Sequence, residues 1–196
     1  MMIEYYYSLV SPWAFLGHQR LITLSATHGA TIEFLPVTVS KLFPATGGLP
    51  LAKRAPERQA YRMWEIKRWP DLLGIDLNIE PAFFPADDRP AGKMVAFAKS
   101  RGGNVADLTL GCMRAVWQEE RNIADADTLI AIANDHGFDG KVMFEESQGE
   151  EGEAMLEANT QRAIKAGVFG VPTYVVNGEP FWGQDRLGLL EGILAG

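Results

Sequence analysis

The segment Val168-Phe169-Gly170-Val171-Pro172-Thr173-Tyr174-Val175-Val176-Asn177-Gly178 constrains the fold more than any other stretch, because its proline stands at the mouth of a β-rich run. Proline has no N–H to give to a sheet ladder. It is therefore confined to the first residue or the edge of a strand, where a cis X–Pro bond is tolerated. The sequence predicts a strand that opens after Pro172 with a cis Val171–Pro172 bond. It also predicts that the backbone N–H and C=O of Val171 have no ladder partner and face an extended, peptide-like ligand, as in strand addition.

At the other end of the chain Ile3 to Tyr7 is β-rich, Ser8 to Pro12 forms a turn, and Trp13 to Leu21 reads as helix. Pro12 suits the first helical position, which puts Ser11 at the N-cap. Thr31 to Val37 alternates like a second strand. A strand, a residue poised at a helix N-terminus and a distant proline-led strand make the layout of a thioredoxin-like fold. Redox members open that helix with Cys-x-x-Cys, but here the four residues are Ser11-Pro12-Trp13-Ala14, so no disulfide chemistry can occur there. A serine in this place can donate its hydroxyl to an incoming thiolate that the helix dipole also favours. The plainer reading is an ordinary N-cap.

Between these halves the pattern is helical. Pro56 to Leu73 forms one helix ended by Gly74, Pro90 to Arg101 another ended by Gly102-Gly103, and Val105 to Glu120 a third. Leu129, Ile130 and Ala133 mark a helix after Asp125 and Asp127, and the last runs from Glu151 to Ala166, stopped by Gly167. The expected class is α/β: a thioredoxin-like domain of residues 1–43 and 167–196, interrupted by an all-helical domain of residues 44–166 that packs over Ser11. No span is apolar enough for a membrane helix and no secretory leader is visible, so a cytoplasmic protein is expected. The net charge of −7 argues against a nucleic-acid partner.

The one cysteine, Cys112, shares a helical stripe with Val105, Leu108, Ala115 and Val116 and reads as a small core hydrophobe. It excludes an intramolecular disulfide and suits a reducing compartment. His18, His28 and His136 lack metal or catalytic spacing, and the acidic run Glu145 to Glu157 reads as a solvated helix face. No metal site is expected.

Three motifs in order, Tyr7-Ser8-x-x-Ser11-Pro12-Trp13, Gly167-Val168-Phe169-Gly170-Val171-Pro172-Thr173 and Phe181-Trp182-Gly183-Gln184-Asp185-Arg186-Leu187, span the chain. With them the chain resembles the glutathione-dependent 2-hydroxychromene-2-carboxylate isomerases, relatives of kappa-class glutathione transferases in the DsbA-like thioredoxin superfamily. The resemblance implies glutathione as cofactor, a small aromatic 2-oxo acid as substrate and a homodimer. It places the glutathione sulfur at Ser11, the peptide backbone at Val171 and Pro172, and the γ-glutamyl end at Trp182, Gly183, Gln184 and Asp185. Gln184 stands where relatives carry serine or asparagine. A helix cap is the alternative role for Asp185.

By the same resemblance Arg58 replaces a lysine that approaches glutathione and Glu65 replaces an aspartate, or the two are simply a solvated helix pair. Trp13, Phe43, Phe84, Trp64 and Phe83 are candidates for the substrate wall, with core packing as the alternative. Lys41, Lys53, Arg54 and Arg58 are candidate partners for a substrate carboxylate. The implied reaction is a glutathione-dependent cis-trans isomerisation in aromatic catabolism. A kappa-like glutathione transferase and a non-catalytic thioredoxin-like binding module remain alternatives.

Overall fold

The computed structural model describes residues 1–196. β1 (Met2–Tyr7) leads into α1 (Pro12–Thr27), and β2 (Thr31–Pro36) returns parallel to β1, so that Met2 faces Thr31 and Tyr7 faces Pro36. β3 (Thr173–Val176) lies antiparallel on the other side of β1, and β4 (Glu179–Trp182) pairs with β3, which gives the order β2-β1-β3-β4. This is the thioredoxin-like arrangement expected from the strand layout. The Val171–Pro172 bond is cis, and so is Phe84–Pro85.

Between β2 and β3 lie α2 (Val39–Thr46), α3 (Pro56–Leu73), α4 (Arg89–Ser100), α5 (Val105–Trp117), α6 (Ala126–Asp135), α7 (Gly140–Ser147) and α8 (Glu150–Lys165); α9 (Leu187–Leu194) closes the chain. The glycine stops at 74 and 167 fall where expected, each with a left-handed φ, 65° and 72°. α5 ends three residues before the expected Glu120, because Gln118 and Glu119 both turn their N–H groups back to the Arg114 carbonyl and Glu120 takes φ 52°. Three elements were not anticipated: α2, which carries Pro44 within it, α7, and the strand β4. The signal for β4 was the Asn177-Gly178 pair, whose positive φ values of 51° and 83° make the two-residue hairpin turn. The expected domain border at residues 43/44 falls inside α2.

Strand alternation sends successive residues to opposite faces, and both faces are covered. Ile3, Tyr5, Tyr7, Phe34, Tyr174 and Val176 join the larger core with α1, α4, α5 and α9, where the Tyr5 ring stacks between Tyr7 (4.3 Å) and Tyr174 (5.4 Å). Tyr6, Leu35 and Val175 turn the other way, onto Leu42 of α2 and Ala163 of α8. There Arg162 bonds Glu4 (2.6 Å) and Glu33 (2.7 and 2.8 Å), which neighbour each other across β1 and β2. Burial alone would raise the Glu33 carboxyl, but Arg162 and Lys99 hold it below its ordinary value. No helix is long and apolar enough to cross a membrane.

Candidate functional site

Strand directions bring four chain segments to one end of the sheet. The turn Ser8–Ser11 leaves the C-terminal end of β1, and Val37 leaves the same end of β2, its N–H donating to the Tyr7 carbonyl at 2.9 Å. β3 starts there because it is antiparallel to β1, and β4 ends there because Thr173 pairs with Trp182. Ser11, Val171-Pro172 and Trp182–Asp185, about 170 residues apart in the chain, therefore converge by topology.

Ser11 is the N-cap of α1 (φ −79°, ψ 118°), buried at 8% exposure. Its Oγ accepts the Ala14 N–H at 3.2 Å and its carbonyl accepts the Phe15 N–H at 3.0 Å. Pro12 has no N–H, so the Trp13 amide is the first-turn donor without an acceptor. One side of the serine oxygen is occupied and its hydroxyl proton is free to be donated outward. No base contacts it, so the residue is built to donate a hydrogen bond rather than to attack.

The turn that carries Ser11 is clamped from the helical segment. Asp88, half-buried just before α4, accepts the Ser8 hydroxyl at 2.5 Å and the Leu9 N–H at 3.1 Å. Burial pushes its carboxyl above the ordinary aspartate value, against those bonds. Sequence reading missed this residue, although Asp88 followed by Arg89-Pro90 has the look of a helix start. As N-cap of α4 its side chain makes no capping bond, because the carboxylate is turned to the β1–α1 turn.

Val171 makes no backbone hydrogen bond in the fold, as its place before Pro172 predicts, whereas the Pro172 carbonyl accepts the Gly183 N–H at 2.9 Å. Gly183 itself has φ 107°, ψ 148°, a backbone region open essentially to glycine. It starts a short 3-10 turn, Gln184–Arg186. Gln184 and Asp185 keep backbone N–H groups with no acceptor in the protein. The capping role weighed for Asp185 does not occur: it makes no capping bond, and α9 begins only at Leu187. Its carboxylate is partly exposed, 3.4 Å from Arg186. Gln184 is buried at 2%, and its Oε1 accepts from Arg20 at 2.6 Å, so the side-chain oxygen faces inward and not towards a ligand. Trp182 lies half in solvent with its ring against Phe169, centroids 4.8 Å apart.

Among the candidate cations, Lys41 is withdrawn: it sits 2.6 Å from Glu157 and 4.0 Å from Glu153, in an acid-lined surface depression along α8 that holds no other candidate. The Arg58–Glu65 pairing does not form either, because Glu65 takes Arg68 (2.9 Å) and the Trp69 indole N–H (2.9 Å). Lys53, Arg54 and Arg58 have no carboxylate within 4.0 Å. Of the aromatics, Trp13 and Phe84 are half-buried against the larger core and Phe43 is buried. Trp64 and Phe83 stand out towards solvent, 60% and 42% exposed.

Cys112 is buried as its place on the apolar stripe predicts, whereas the burial of His18 had no sequence signal. Cys112 is fully buried, its thiol pushed up to about 12 by burial, which leaves no thiolate for chemistry. His18 is buried against the Ala106 carbonyl at 3.0 Å and its pKa is lowered by burial to about 4.

The chain is similar to known proteins over its whole length. A family model described as a DSBA-like thioredoxin domain matches residues 2–195. The 2-hydroxychromene-2-carboxylate isomerase of Pseudomonas putida is 28% identical over 198 residues, covering 99% of this chain and 94% of its own. That of Sphingobium xenophagum is 26% identical, covering 98% and 97%. A solved 2-hydroxychromene-2-carboxylate isomerase superposes with TM-score 0.86 at 26% identity, covering 100% of this chain and 95% of its own. The cytosolic disulfide reductase DsbM from Pseudomonas aeruginosa, solved with GSH, shares the fold with TM-score 0.70 at 18% identity, covering 100% and 96%.

Proposed function

From the premise that this chain belongs to the DSBA-like thioredoxin domain family, we propose that it is a glutathione-dependent isomerase of a ring-opened aromatic 2-oxo acid, of the kind the 2-hydroxychromene-2-carboxylate isomerases act on. The observation that carries the reading is the pairing of a free Ser11 hydroxyl and Trp13 N–H with the unpaired backbone of Val171, in a fold whose own cysteine is buried. Donors for a sulfur anion are present where the protein supplies no sulfur.

The residues fit glutathione along its length. Ser11 and Trp13 face the sulfur with the positive end of α1 behind them. Val171 can pair with the peptide backbone, while the free N–H groups of Gln184 and Asp185 suit a carboxylate and the Asp185 carboxylate suits an ammonium. Arg58 is a further candidate for a carboxylate of the tripeptide. When bound, glutathione supplies a thiolate that adds reversibly to a conjugated carbon, making a double bond single long enough to rotate. Ser11 and the α1 dipole keep that thiolate available at neutral pH, and the half-buried wall of Trp13 and Phe84 excludes water from it. The reading also takes the protein as cytoplasmic and as a homodimer; the exposed Tyr61, Trp64 and Leu72 along α3 support the dimer, which light scattering tests.

The deciding experiment follows interconversion of 2-hydroxychromene-2-carboxylate and its ring-opened trans isomer spectroscopically, with and without glutathione. Turnover that requires glutathione and leaves it unconsumed supports the reading. Accumulation of a stable conjugate would make the protein a transferase instead, and failure to bind glutathione at all would leave a binding module.

A further inference from the structure

Arg62 lies on α3 with its guanidinium centred 5.4 Å from the Phe84 ring, and Arg54, just before α3, lies 6.0 Å from the Phe43 ring. The only hydrogen-bonding partner of the half-buried Arg62 side chain is the Met63 sulfur, at 3.8 Å. Neither arginine has a carboxylate within 4.0 Å, in a protein that carries an excess of acid. Several other half-buried cations are matched by acids, Arg89 by Glu153, Lys99 by Glu33 and Arg162 by Glu4 and Glu33, while Arg20 bonds the neutral Gln184. Arg54, Arg58 and Arg62 follow at four-residue intervals into α3, and burial and then a neighbouring charge, Arg58 for Arg54 and Arg54 for Arg62, lowers the pKa of the two that are half-buried. Each ring face attracts its guanidinium and the Arg54 Nε donates to the Leu49 carbonyl at 2.9 Å, but no acid neutralises either charge.

Both rings lie on segments joined to the converging site. Phe43 belongs to α2, which leaves the same end of the sheet as Ser11, and Phe84 precedes by four residues the Asp88 that clamps the Ser8–Leu9 turn. We propose that Arg54 and Arg62 form a binding site for the carboxylate of an aromatic acid, with Phe84 beside its ring. Two guanidinium forks can take a carboxylate in the planar, bidentate manner that a lysine cannot, and an incoming anion removes their mutual repulsion. The aromatic character of the acid rests on the isomerase reading above, whereas the anion site rests on the arginines themselves. Glutathione also carries carboxylates, so the test separates the two sources.

Cinnamate, its neutral amide and glutathione are titrated separately by calorimetry into the full chain and into Arg62→Gln, Arg54→Gln and Arg62→Lys. The expected result is that cinnamate binds, cinnamamide binds about tenfold more weakly, and each Gln variant with wild-type circular dichroism loses about tenfold for cinnamate while keeping its glutathione affinity. Arg62→Lys should retain part of the affinity, since it keeps the charge and loses the fork. No cinnamate binding at millimolar concentration, or unchanged binding in both folded Gln variants, overturns the proposal. A parallel loss of glutathione affinity overturns it too, by assigning the arginines to the tripeptide. Absent isomerase turnover with arginine-dependent cinnamate binding intact would sink the proposed reaction and leave the anion site standing.

Discussion

Arg20 donates from one nitrogen to both the side-chain Oε1 (2.6 Å) and the backbone carbonyl (3.3 Å) of Gln184, so a residue of α1 holds the turn that follows β4. The contact is possible because residue 17, one turn earlier on α1, is glycine: a Cβ there would lie 2.7 Å from the Tyr174 hydroxyl and 2.9 Å from the Gln184 Cβ. Arg20 thus fixes the turn that carries the Gln184 and Asp185 amides. Arg20→Ala should weaken glutathione binding about tenfold, roughly 1.4 kcal/mol, while Arg20→Lys restores part of it. Calorimetric titration checks this, and unchanged affinity in the alanine variant would show the Arg20–Gln184 contact to be structural only.

Asp185 makes no capping bond, so its removal should separate binding from folding cleanly. Asp185→Ala is expected to leave the unfolding free energy within about 0.5 kcal/mol of the parent. Glutathione affinity should fall about tenfold. Denaturant melts alongside glutathione titrations decide it, and a loss of stability with intact affinity would reverse the assignment.

Ser11→Ala removes two things at once. The Ala14 N–H loses its acceptor, which costs about 1 kcal/mol and lowers Tm by roughly 2–4 °C. The bound thiol loses its donor, so its pKa should rise and turnover at neutral pH should fall. Part of that activity should return at higher pH, where the thiolate forms unaided. Thiolate absorbance of the glutathione complex across pH measures the first effect and rate profiles the second. Full neutral-pH activity, or a covalent substrate adduct on Ser11, would defeat the donor role.

His18 ties stability to pH. Its Nε2 meets a carbonyl and so carries the proton of the neutral ring, and burial lowers its pKa from 6.5 to about 4. The unfolded chain therefore binds a proton that the folded one refuses. The stability this confers is complete above about pH 6.5 and is lost as pH falls through about 4, some 3 kcal/mol in all. Urea unfolding of the parent and of His18→Gln at pH 7, 5.5 and 4.5 tests it. The parent should lose more on acidification than the variant, and parallel curves would refute the linkage.

The strands β1, β2 and β3, most of the helices, the N-cap place of Ser11 and the unpaired backbone of Val171 are legible in the chain, because local rules govern them. Proline cannot join a ladder, Ser-Pro begins a helix, and apolar spacing separates helix from strand. The Asn177-Gly178 turn was equally local and announces β4. Partnership is a different matter, since it depends on which side chains the packing brings within reach across long separations. Only the tertiary structure turns Gln184 inward to Arg20, ties Lys41 to Glu157 and sends Asp88 to the Ser8 turn instead of its own helix. The same packing leaves Arg54 and Arg62 without acids, which no spacing rule could reveal. A charge's partner is decided by distances of a few ångströms between elements whose placement follows from sheet topology and core packing. The residue types in the chain limit what each group can do, and the folded geometry selects which of those things it does.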